Sequence, residues 1–168
     1  MNFKVTYFPA VLIILLLITG CEPKPKPIQY GHEDCSYCRM MITEPQYGAQ
    51  TLNKQGRSFT FDSIECMAAF AQENVKAEQI DVHSHWIADF TGSEEFIRAE
   101  EAHYLHSENL RSPMGLNLSA HATLEQAEKY RGEYGGEILN WAEVKEFVHD
   151  TWLDHNNGNA IHTRDHNK

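Results

Sequence analysis

The chain has 168 residues, with 14 Lys+Arg against 24 Asp+Glu and a formal net charge of -10. Such an acidic surface repels phosphates and argues against nucleic acid as a main partner. Hydrophobic residues at 42% and aromatic residues at 11% suffice for one domain, or for two small lobes sharing an interface, and exclude wholesale disorder. Four cysteines are too few for a disulfide-stapled miniprotein.

Residues 1–20 read as an export signal. Lys4 is followed by an apolar run from Val11 to Ile18, too short for a comfortable membrane span, and then by Thr19-Gly20-Cys21. Small residues just before a cysteine resemble the lipobox cut by lipoprotein signal peptidase. Cys21 is therefore the predicted lipidation site and mature N-terminus, and a bacterial envelope is the predicted compartment. Residue 22 is Glu, not the aspartate associated with inner-membrane retention, which favours the outer membrane. Residues 21–30 carry Pro23, Pro25 and Pro27 and read as an extended tether without internal hydrogen bonds.

Residues 31–153 form the predicted folded part. Ala49 to Asn53 and Arg57 to Phe61 flank Lys54-Gln55-Gly56, a hairpin signal. Three helix-start signatures follow, Asp62-x-x-Glu65, Thr123-x-x-Gln126 and Asn140-x-x-Glu143, predicting helices over 63–74, 123–134 and 141–153. Gly135-Gly136 stops the second. Ile80 to Phe90, His103 to Ser107 and Glu137 to Leu139 read as strands. Strand, strand, helix, strand thus occurs twice, which predicts an α+β fold of two small ββαβ-like lobes with mixed or antiparallel sheets. Residues 154–168 lack apolar periodicity and read as a polar tail with His162 and His166.

The chemistry concentrates in Cys35-Ser36-Tyr37-Cys38-Arg39-Met40-Met41. Three readings compete. A thiol-disulfide oxidoreductase using Cys35 and Cys38 wants a strand before the first cysteine and a helix starting at it. A zinc-stabilised interaction module wants four N or S ligands, so Cys66 and a histidine would have to complete the pair. Cu(I) takes thiolate together with thioether, and Met40, Met41 and the loop-borne Met114 of Ser112-Pro113-Met114-Gly115 supply thioethers. Cys66 and Met67 fall inside the first helix, where both read as core residues. His83 and His85, two apart on a strand, read as a solvent-facing pair.

Taken together, the lipobox, Cys35-x-x-Cys38-x-Met40, Phe59-x-Phe61-Asp62, Ser112-Pro113-Met114-Gly115 and Gly135-Gly136 before Glu137-Ile138 resemble the NosL family of nitrous oxide reductase accessory lipoproteins. The resemblance spans roughly residues 21 to 148. It implies two ββαβ units and a lipid-anchored Cu(I) chaperone, not an enzyme, facing the periplasm. Its implied partners are nitrous oxide reductase, whose copper-sulfur centre it helps assemble, and the membrane transporter complex of that assembly machinery. It also implies Cys38 and Met114 as copper ligands, with Met40 and Cys35 as further candidates. A histidine from among His32, His103, His106 and His121 is a possible third ligand that no residue pattern selects.

Overall fold

The computed structural model describes residues 22–76, 79–92 and 95–153. The signal segment, Cys21 and the tail from residue 154 lie outside the described residues. The order is β1 (Ala49–Asn53), β2 (Ser58–Phe61), α1 (Ile64–Lys76), β3 (Val82–Ala88), β4 (Phe96–Arg98), β5 (His103–His106), β6 (Leu118–His121), α2 (Leu124–Tyr134), β7 (Glu137–Leu139) and α3 (Trp141–Val148). A 3-10 turn, Pro45–Tyr47, precedes β1.

Both sheets are antiparallel. The first runs β2-β1-β3-β4 and the second β6-β5-β7. In each, a hairpin is followed by a helix and then by a strand pairing on the free edge of the hairpin's first strand. The twofold ββαβ succession is thus real. Two strands escaped the sequence reading. β4 is only three residues long, and β6, Leu118–His121, lies between the Ser112-Pro113-Met114-Gly115 loop and the second helix, in a stretch to which the sequence assigned no element.

Local chemistry explains most boundaries. Thr123 and Asn140 each close a capping box, with Gln126 and Glu143 answering from the first turn. Gly135 ends α2 at φ 71, and a Cβ at Gly136 would stand 2.1 Å from the His106 carbonyl oxygen. Gly-Gly is what lets β7 reach β5. The third helix is shorter than predicted: α-geometry stops at Val148 and a π-helical turn, His149–Leu153, takes its place. Asp62-x-x-Glu65 is no capping box at all. Ser63 Oγ accepts the Cys66 N–H at 3.2 Å, leaving both acidic side chains for other work.

One core joins the lobes, running from Phe61, Ile64 and Met67 through Leu118 and Ala120 to Trp141 and Val144. Phe90 N–H donates to the Ala120 carbonyl at 2.8 Å, and Gln72 Nε2 to the Lys145 carbonyl at 2.9 Å. The proline-rich segment differs from its reading as a free tether. Lys26 N–H donates to Gln50 Oε1 at 3.2 Å, Gln50 Nε2 returns a bond to the Lys26 carbonyl, and Ile28 is buried in the core. No described helix is long and apolar enough to cross a membrane.

His83 and His85 also depart from expectation. Leu52 pairs with Ser84 but Asn53 with Val82, so His83 is the extra residue of a β-bulge and strict alternation fails there. His85 turns inward, buried, with Nδ1 2.9 Å from Thr51 Oγ1 and its ring 5.6 Å from that of Trp141.

Candidate metal centre

The segment carrying Cys35 and Cys38 is a tight reversal. Asp34 and Met41 form an antiparallel bridge, Cys35 N–H donates to the Met40 carbonyl at 2.7 Å, and Arg39 N–H to the Cys35 carbonyl at 3.1 Å. Arg39 adopts φ 67, a left-handed conformation that a side chain bears only where the turn demands it. Ser36 N–H donates to the Thr60 carbonyl at 2.8 Å, pinning the reversal on β2. The chain leaving β2 runs through Asp62 into α1, whose first turn carries Cys66.

These two segments place Cys35, Cys38, Cys66 and Asp62 so that their ligand atoms all lie within 4.8 Å of one another. Two sulfurs each about 2.3 Å from one ion stand at most about 4.6 Å apart. The four ligand atoms thus lie near the spacing that a single ion requires. Cys35 and Cys66 are fully buried, while Cys38 is half-buried at the rim. All three are free thiols. Asp62 Oδ2 accepts from Cys38 Sγ at 3.4 Å, and its buried Oδ1 has no partner. An unpartnered buried carboxylate oxygen beside three thiols is a donor set that a cation would complete.

The thiols are electrostatically unequal. A hydrogen bond from Cys66, aided by backbone N–H groups of Asp62, Cys38 and Tyr37, outweighs burial and pulls Cys35 down to about 6. Burial, helped by the Cys35 sulfur and the Asp62 charge, pushes Cys38 up to about 12. Cys66 is raised because it donates to Cys35 and is buried. Of the three, Cys35 is thus the thiol that gives up its proton most readily. An incoming cation displaces the remaining protons as it gains ligands.

Of the residues singled out in the sequence, Cys35 and Cys38 lie in the cluster. Cys66, read there as core, is buried and in the cluster as well; a small thiol in a helix's first turn serves both ends. Asp62 was missed because it resembled a cap. Among the described residues the cluster contains no histidine. His121 is fully buried beside Ser119, and the His106 ring lies 4.6 Å from that of Phe147. Met40 and Met41 are 47% and 54% exposed, so Met40 flanks the cluster at the surface. Met114 is half-buried against the core, in the centre of a turn closed by Gly115 N–H to the Ser112 carbonyl at 3.1 Å.

The geometry lacks the helix start that a thiol-disulfide oxidoreductase places at its first cysteine. Cys35 begins no helix and is shut away from solvent, which leaves only Cys38 of the pair open to a substrate disulfide.

A family model described as NosL matches residues 27–148. Among solved structures, the copper chaperone NosL from Shewanella denitrificans matches at a TM-score of 0.63 and 22% identity, over 72% of this chain and 95% of that one; at that identity the likeness speaks for the fold. No curated protein matches the chain.

Proposed function

The chain belongs to the NosL family, and from that premise we propose that it is a Cu(I) carrier of the bacterial envelope, anchored by lipid on Cys21. It delivers the ion to the machinery that assembles the copper-sulfur centre of nitrous oxide reductase, and it performs no catalysis of its own. The observation that carries this reading is the sulfur-rich cluster of Cys35, Cys38 and Cys66 beside Asp62.

A carrier must hold its ion firmly yet release it by ligand exchange, in which an incoming group joins before a resident one leaves. Cys38 supports that role, being the outermost thiol of the cluster and one of the two whose protons an ion must displace. Met114 adds a neutral soft donor from a rigid turn, and Met40 offers a thioether at the surface where a partner docks. Cys35 supplies a standing negative charge that attracts the cation without leaving the core.

Anaerobic Cu(I) competition titration tests this. Cys38→Ala and Met114→Ala should each weaken binding by about tenfold or more, which corresponds to about 1.4 kcal/mol. Wild-type affinity in both variants would overturn it. The convergence of three thiols with a carboxylate also favours a second reading, a tetrahedral zinc site. Zn(II) binding that is lost in Cys66→Ala and Asp62→Asn but intact in Met114→Ala would select zinc.

A further inference from the structure

Glu65 sits between the two cluster residues Asp62 and Cys66 in sequence, yet it belongs to no metal-ligand group among the described residues. Its side chain is wholly buried. Besides meeting its own N–H and Ser63 at its helix start, it reaches across the lobe boundary. Ser112 Oγ donates to Glu65 Oε1, and the Leu118 backbone N–H also bonds to it. Ser112 Oγ accepts the Asn117 N–H at 2.9 Å, which closes the loop 112–117 on itself. Within that loop Pro113 and Met114 occupy the two central positions of the turn, and Gly115 and Asn117 take φ 81 and 60. Proline fixes the first of these positions and the left-handed residues complete the reversal.

A carboxyl group with one oxygen unpartnered in the core is a poor way to gain stability, because an apolar side chain of similar volume packs there without desolvation cost. A polar link is directional where apolar packing is not. What it directs here is one loop, and that loop's long soft side chain is Met114.

We propose that Glu65 is the positioning residue for Met114: acting through Ser112, it fixes the Pro113-Met114 turn on the end of α1 that carries Cys66. Glu65 itself touches no ion. The inference rests on the copper-carrying reading above, and it explains how a ligand from the second lobe is brought into register with thiols from the first.

The test is a double-mutant cycle on the full chain, read by anaerobic Cu(I) competition. Glu65→Ala and Ser112→Ala should each weaken binding about as much as Met114→Ala does, roughly tenfold. Glu65→Ala combined with Met114→Ala should be no weaker than Met114→Ala alone, since a residue acting through Met114 has nothing left to position. Glu65→Gln, whose amide oxygen still accepts the Ser112 hydroxyl, should stay within about twofold of wild type. In a chain labelled with 13C-methyl methionine, the Met114 resonance should move on Cu(I) loading in wild type and Glu65→Gln but not in Glu65→Ala. Losses that multiply in the double variant would overturn the proposal, as would unchanged affinity in Glu65→Ala. Should Glu65→Ala fail to fold, Ser112→Ala removes one hydroxyl and runs the same cycle. Wild-type affinity in both Cys38→Ala and Met114→Ala overturns the carrier reading and this one with it; a loss in Met114→Ala with none in Glu65→Ala overturns only this one.

Discussion

The two lobes share a strand order, hairpin first and third strand on the same edge, but their helices begin differently. In the second lobe, Thr123 and Gln126 exchange bonds at the exposed start of α2, and Asn140 and Glu143 do the same for α3. In the first lobe the same signature, Asp62-x-x-Glu65, is bypassed. Ser63 caps α1, Asp62 turns to the thiols and Glu65 crosses to Ser112. A helix start already points backbone N–H groups at whatever lies before it. In the second lobe side chains of the helix itself satisfy those donors. In the first, the end of the helix is built into a site, and the acidic residues are buried where solvent would otherwise have kept them.

Each lobe also carries one inward histidine, and the largest effect expected here tests whether the two are equivalent. Burial pushes His85 down to about 4, with Lys145 and Arg98 acting in the same sense and Glu100 opposing. His121 is likewise at about 4 through burial and the nearby His103, against Asp89. The unfolded chain binds these protons near pH 6.5 and the folded chain only near 4. Stability is therefore full above about pH 6.5, falls as the pH drops towards 4, and levels off below it, by up to roughly 3 kcal/mol per histidine. Urea unfolding at pH 7 and pH 4.5 checks this, and His85→Gln or His121→Gln should each flatten the dependence.

Next in size, Cys66→Ala should weaken Cu(I) binding by roughly tenfold, about 1.4 kcal/mol. If equilibrium titration finds full affinity, Cys66 is the core residue that its helix position suggested. Smallest are the caps. Thr123→Ala and Asn140→Ala should each lower stability by about 1 kcal/mol, seen in denaturant midpoints, while leaving metal affinity unchanged. A cap substitution in the second lobe that altered Cu(I) binding would break the division of labour between the lobes.

What was legible in the sequence was local. Cap residues, Gly135-Gly136 and hairpin punctuation placed all three helices and most strands, because each depends on neighbours a few positions away. β4 and β6, three and four residues long, were missed. The bulge at His83 breaks the shared face assigned to the histidine pair, and only His85 is buried. Half of the candidate site was visible as Cys35 and Cys38. The other half, Asp62 and Cys66, arrives from a segment more than twenty residues on, and each residue has an ordinary local explanation that hides its long-range role. Ser63, a competing cap directly after Asp62, was the available hint.

The bonds between Lys26 and Gln50 have a consequence for where this molecule can stand. Among the described residues they leave only Glu22 to Pro25 ahead of the anchored part of the fold, a span of roughly 12 Å at about 3.1 Å per residue. On the proposed lipidation of Cys21, so short a leash would hold the fold close against the bilayer.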